Sequence, residues 1–242
     1  MKKPNNFVAG AGSMALAVGV IMMLTAAKAP PNKVHFDEIT VGRINIVEPD
    51  GTKRLIISNK AQFPGSFEQG KEIARPDRRD FAGMIFVNDE GTENGGLIQR
   101  GSVTANGKIH SGVSLTFDRF RQDQALQLIN TDSEQHQMTA LIINDVPNHK
   151  TTSMQDIAKF QAESAKLPDA EREKYWQKLK EDKRLSENRI FLGTTGSKGS
   201  ALLLNDGKGR TRMMLLVSEN GEPEIQMLDE TGKMVKRITP GA

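Results

Sequence analysis

The densest group of chemistry-bearing side chains is Asn88-Asp89-Glu90-Gly91-Thr92-Glu93-Asn94-Gly95-Gly96, which packs three carboxylates and two amides into one short stretch. Oxygen donors of this kind suit a hard cation such as calcium. The alternating Asp/Asn order and terminal Glu of an EF-hand loop are missing, however. All of these residues are also ordinary turn formers whose side chains satisfy their own backbone. No metal is therefore assigned, and Asp89, Glu90, Glu93 and Asn94 stand as candidate ligand-binding residues. A second group, Asp118-Arg119-Phe120-Arg121-Gln122-Asp123, alternates charge with an aromatic. On a strand, Asp118 and Phe120 would share one face and Arg119 and Arg121 the other. A carboxylate near two guanidiniums could take an anion or a polar sugar, while cross-strand ion pairing is the plainer reading. Asp118, Arg119 and Arg121 complete the candidate set.

Other clusters carry less. Arg75, Arg78 and Arg79 form a basic loop that Asp77 and Asp80 largely compensate, as expected of a solvated connection. His35, His110, His136 and His149 are scattered, with no pair at helical zinc-site spacing. The stretch from Gly193 to Ser200 has the composition of a phosphate loop but not the GxxxxGK[ST] order, and it sits where a hairpin is expected. No nucleophile elbow and no dinucleotide fingerprint occur. Cysteine is absent, which removes disulfides, thiolate chemistry and a lipid-acceptor thiol. No catalytic residue and no cofactor are assigned. The formal net charge is +3; Lys2 and Lys3 account for two of these charges, too little excess remaining for nucleic-acid binding.

The elements that must hold these residues begin with residues 7–27, which carry no charge and match the ~20 residues a helix needs to cross hydrocarbon. Lys2 and Lys3 precede the stretch and Lys28 follows it. The positive-inside tendency then places the remainder outside the cytoplasm, a single-pass inner-membrane topology with the domain facing periplasm or exterior. Ala27-Lys28-Ala29 has the small-x-small form of a signal-peptidase site, but Pro30 would follow the cut, so a retained anchor over residues 1–29 is the preferred reading. Ala11, Ala15 and Gly19 form a small-residue stripe, of the sort an Ala- and Gly-rich span produces by chance. Pro30 and Pro31 make a stiff, extended exit.

Residues 30–242 alternate short apolar runs with Gly-containing polar turns. Ile44 to Val47, Glu48-Pro49-Asp50-Gly51 and Arg54 to Ser58 are the first instance; Met84 to Val87, Asn88-Asp89-Glu90-Gly91 and Gly96 to Ile98 are the second. Further runs at Ala201 to Leu204, Met213 to Val217 and Glu224 to Leu228 are punctuated by Asn205-Asp206-Gly207, Glu219-Asn220-Gly221 and Asp229-Glu230-Thr231-Gly232. Asp and Asn bond their own turns and Gly allows positive φ, so the spacing predicts a mainly β domain, an antiparallel meander of hairpins. Barrel, sandwich and propeller all remain compatible with it. Residues 150–188 change period. Met154, Ile157, Ala158, Ala162 and Ala165 follow capping candidates at Thr151 to Ser153. After Pro168 a second helix is expected over residues 169–185, with Tyr175, Trp176 and Leu179 on its apolar side. This inserted helical hairpin has a charged outer surface, ordinarily a solvated face and more sharply a partner-binding arm.

Phe36-Asp37-Glu38-Ile39-Thr40-Val41, Arg43-Ile44-Asn45-Ile46-Val47-Glu48-Pro49-Asp50-Gly51, the run from Asn88 to Ile98, Phe117-Asp118-Arg119, Leu167-Pro168 with the Glu/Arg-rich helix after it, and Arg189-Ile190-Phe191-Leu192-Gly193 resemble a family of uncharacterised bacterial proteins with one N-terminal membrane helix. The resemblance covers most of the chain beyond residue 30; it implies a β-rich fold and no activity. The resulting expectation is a membrane-anchored extracytoplasmic module that binds another protein or an envelope polymer, with homo-oligomerisation open. Two alternatives stand beside it: a glycan- or peptidoglycan-acting hydrolase using carboxylates such as Asp89, Glu93 and Asp118, and an accessory subunit of a membrane complex.

Overall fold

The computed structural model describes residues 33–241 except 135 and 197. The expected membrane helix, its small-residue stripe and the cleavage motif therefore lie outside the described residues. Among the described residues no helix is long and apolar enough to cross a membrane. The chain divides into two units, Met1–Thr40 and Val41–Ala242. Within the first, residues 33–40 carry neither helix nor strand.

The second unit is mainly β. Strands β1 (Arg43–Val47) and β2 (Lys53–Ser58) are followed by a short hairpin, β3 (Ser66–Glu68) and β4 (Lys71–Ile73). The main sheet then resumes through β5 (Ala82–Val87), β6 (Glu93–Val103), β7 (Ile109–Asp118), β8 (Gln124–Ser133) and β9 (His136–Asp145). After the helical insertion it ends with β10 (Glu187–Thr194), β11 (Ser200–Asn205), β12 (Thr211–Val217), β13 (Pro223–Leu228) and β14 (Met234–Ile238). Apart from β3 and β4, all strands join one twelve-stranded antiparallel sheet in chain order. The expected meander is thus present, as a single open sheet. Closing it as a barrel would require β14 to pair with β1, and these two strands are the free edges.

The turns explain the connectivity. Glu48 donates its N–H to the Thr52 carbonyl and accepts from the Gly51 N–H, at 2.8 and 2.9 Å. The same two bonds recur at Asn88 to Thr92, Thr104 to Lys108, Asp206 to Arg210, Ser218 to Glu222 and Asp229 to Lys233. The fourth residue of each such turn lies at positive φ and is glycine in all of these, as a five-residue hairpin connection with a bulge requires. In the turn after β11 that residue is Gly209, not the expected Gly207.

Directly opposed residues share a face of a sheet, and the register turns the alternation of each strand into rows. One row runs Ile44, Ile57, Met84, Leu97, Leu115, Leu128 across the first six strands of the sheet. It continues through Leu141, Leu192, Leu202, Leu215, Ile225 and Ile238 to the far edge. A second row, one pleat away on the same face, joins Ile46, Leu55 and Phe86 at one end to Leu204, Met213 and Met227 at the other.

The opposite face carries the dry core. Phe67 of β3 packs on Ile56, Ile85 and Val87, all at most 4% exposed. The tip of the β3–β4 hairpin is held by Gly70 N–H to the Gly91 carbonyl and Gln69 N–H to Thr92 Oγ1, both 3.0 Å. A Cβ on Gly91, whose φ is +76°, would lie 2.6 Å from the Gly70 nitrogen, so docking of the hairpin needs glycine there as much as the turn does.

The insertion between β9 and β10 contains helices α1 (Met154–Ser164) and α2 (Asp169–Glu181). Ser153 caps α1 in a reciprocal box with Asp156. Phe160 and Tyr175 meet edge to face at 6.5 Å. Thr152, completely buried, accepts from Arg184 Nε at 2.8 Å and from the Gln122 side chain through its carbonyl. Gln155 donates to Glu68 at 2.7 Å. The insertion is thus fastened both to the β7–β8 turn and to the small hairpin.

Candidate functional site

All seven candidate residues fall at one end of the sheet, where the β5–β6 and β7–β8 turns and the starts of β6 and β8 lie side by side. The three carboxylates of the acidic turn do not converge. Asp89 pairs with Arg54 and is otherwise solvated. Glu90 accepts both arms of the Arg121 guanidinium at 2.6 Å and the Thr92 hydroxyl at 3.0 Å. Glu93 is held by both arms of Arg78, at 2.8 and 2.9 Å. Each carboxylate has its own arginine, so the turn does not offer a cation the shared oxygen cage considered above. Among the described residues no group of three metal-ligating side chains is found. The Arg121 guanidinium is the main reason the Glu90 carboxyl sits below its ordinary range, Thr92 adding to it against some desolvation. Asn94 is exposed.

The stretch from Asp118 to Asp123 is not a strand with two chemically distinct faces. β7 ends at Asp118 and residues 119–123 form a turn closed by Arg119 N–H to the Asp123 carbonyl at 3.0 Å. Positive φ at Arg121 turns its side chain to Glu90, whereas Arg119 donates to the Val146 carbonyl. Local sequence alternation could not reveal this, because a left-handed residue breaks the period of two.

Asp118 has a different environment from the other acids. One of its oxygens is buried without a hydrogen-bond partner. Desolvation pushes its carboxyl up to about 7, with Glu93 and Asp123 adding to the rise and Arg78 opposing it. Glu93, held by Arg78, lines the inner end of a cleft, and its charge contributes to the rise at Asp118, which is not itself part of that lining.

The cleft, about 530 Å³, lies on the hairpin-bearing face over β6, β7 and β8. Arg78 and Glu93 close its inner end. Thr116, which bonds the Gly96 N–H at 3.2 Å, and the Ser114–Gln127 pair at 2.9 Å form its floor. Phe81, with the Arg100 guanidinium 5.5 Å from its ring centre, forms part of a wall. At the outer end the register places His110 opposite Ser133 and Ser133 opposite His136. Scattered in sequence, the two histidines flank one serine in space. Spacing within a helix could not find them; period-two alternation through Val113, Leu115 and Phe117, then Leu126 and Leu128, was the available signal, because it fixes which residues face the cleft.

In the basic loop only Asp77 of the two expected acids pairs with one of the arginines, Asp80 binding a lysine outside the loop and Arg78 turning to Glu93. Arg75 binds Asp77 at 2.8 and 2.9 Å, Lys60 binds Asp80 at 2.7 Å, and Arg78 reaches both Glu93 and the Gly65 carbonyl. Of the stretch from Gly193 to Ser200, Gly193 and Thr194 end β10 and Ser200 opens β11, and Thr195 N–H bonds the Gly199 carbonyl at 2.8 Å between them. No protein-family model and no curated protein sequence matches the chain.

Proposed function

We propose that the chain is a membrane-anchored, extracytoplasmic binding module whose cleft takes a polar segment of an envelope polymer. The observation that carries this reading is the lining of the cleft. Its floor offers uncharged donors and acceptors from Ser114, Thr116 and Gln127 and its wall an aromatic ring, while of its charged groups Arg78 and Glu93 neutralise each other and Arg100 and Asp132 bring one charge of each sign. Such a surface suits a ligand rich in hydroxyl and amide groups better than a strongly charged one. Anchoring rests on the uncharged residues 7–27 behind Lys2 and Lys3, and the resemblance to uncharacterised bacterial proteins with one N-terminal membrane helix favours it. The test is co-sedimentation of the full-length protein, in mild detergent, with purified peptidoglycan sacculi. Gln127→Ala and Ser114→Leu should each reduce the bound fraction several-fold, and retention equal to that of the unaltered chain would sink the reading.

A hydrolytic reading is favoured by one observation, the raised carboxyl of Asp118 with Glu93 among its causes, since a carboxyl that keeps its proton beside a second acid is how many enzymes divide acid and base roles. It predicts that soluble fragments are released from sacculi and that Asp118→Asn stops their release. Undiminished release by that variant excludes Asp118 as the acid.

A further inference from the structure

We infer that the face of the sheet opposite the small hairpin is an association surface for a second copy of this chain, the two sheets meeting face to face across their apolar rows. The inference is independent of the cleft, which lies on the other face.

The first row places an aliphatic residue or methionine on every one of the twelve strands, from Ile44 to Ile238. The second is apolar through β13, interrupted only by Gly95, and meets a charge only at Lys236 on the edge strand. Nine side chains of the two rows remain 37–51% exposed, Leu128 at 43% and Leu192 at 51% near the middle. With their half-buried neighbours they offer on the order of 1,000 Å² of apolar surface, against the ~800 Å² per partner of a standard stable interface.

Dimensions select the occupant. Twelve strands spaced ~4.8 Å apart make rows about 50 Å long. A helix formed by residues 7–27 would reach only about 30 Å, leaving over a third of the rows bare. The outward apolar band of a membrane-spanning barrel is about 25 Å tall; two rows one pleat apart are ~7 Å apart. A second twelve-stranded sheet matches the rows end to end, is free of charge where they are, and stacks at the ~10 Å separation of packed sheets. The contact is then isologous, each copy giving and receiving the same surface. With full overlap its centre falls between Leu128 and Leu141, the sixth and seventh members of the row.

The chain contains no cysteine, so a single introduced thiol reports one position. Full-length Leu128→Cys in mild detergent, treated with a short bismaleimide, should give a band at twice the chain mass of 26.6 kDa. His110→Cys, exposed on the opposite face, should not. Light scattering should find the unaltered protein at twice the chain mass, and Leu128→Glu with Leu192→Glu at once the chain mass with its strand circular dichroism retained. Leu128→Arg with Leu192→Arg, combined with the glutamate pair in a mixed sample, should restore the doubled mass, a readout that does not depend on either variant associating alone. A monomer at every concentration overturns the inference. So does cross-linking at His110→Cys but not at Leu128→Cys. Recovery of the doubled mass only with residues 1–32 present, or capture of the Leu128 face by lipid vesicles in place of a second chain, would do the same.

Discussion

Ile85 and Leu97 are apolar residues on neighbouring strands of one sheet, yet Ile85 is 1% exposed and Leu97 40%. The difference is made by the six residues of β3 and β4. Their hairpin lies over Ile56, Ile85 and Val87 and seals them with Phe67, while among the described residues no such element packs on the rows of the other face. Alternation thus decides which way a residue points, and an inserted element decides whether it leaves water. Of the two regions, the sealed one should dominate the folding stability of the isolated chain, and the bare one its association.

The sharpest way to break this comparison is a pair of equivalent truncations. Ile85→Ala should destabilise the chain by about 2–5 kcal/mol in urea unfolding, as fully buried large-to-small changes do. Leu192→Ala, measured on dilute monomer, should cost under about 1 kcal/mol. Equal costs would show that the bare rows are covered within one chain. Next in size is the ion pair beneath the hairpin: Arg78→Met leaves Glu93, 15% exposed, without its partner, and a loss of about 3 kcal/mol is expected. Replacing both, Arg78→Met with Glu93→Gln, should recover part of that loss.

Asp118 gives a pH signature confined to the end of β7. Its carboxyl is raised from 3.8 to about 7, so the folded chain keeps this proton over an interval where the unfolded chain has released it. The group's favourable contribution is complete below pH ~4 and is lost as pH rises toward 7. Asp118→Asn should therefore stabilise the chain at pH 8 by on the order of 2 kcal/mol, read as a higher thermal midpoint, and leave it nearly unchanged at pH 4. Equal shifts at both values would mean that the asparagine acts through packing alone. The smallest effect belongs to the solvated surface of α1, where Lys159 lies 3.9 Å from Glu163. Lys159→Ala should change stability by no more than about 0.5 kcal/mol.

The hairpins turning at Gly221 and Gly232 and the start of helix α1 were legible because each depends on a few consecutive residues: a polar turn closed by glycine, or a Ser/Thr cap ahead of an apolar helical period. The hairpin β3–β4 was not, since two strands of three residues carry too little alternation to register, and Lys71–Ile73 is exposed throughout. The candidate site divides in the same way. Asp89 and Glu90 sit in the turn that the sequence predicts. Their pairing with Arg54 and Arg121, the burial of Asp118 and the approach of His110 to His136 each require strands to be set side by side.

Residue order by itself determined the β character, the meander, the place of the helical insertion and, through the period of two, which residues share a face. Only the tertiary structure decided that the sheet stays open, that one face is sealed and the other bare, and which arginine neutralises which carboxylate. The physical reason is range: turn and cap chemistry acts within about five residues, whereas register, burial and desolvation depend on strands brought together from distant parts of the chain.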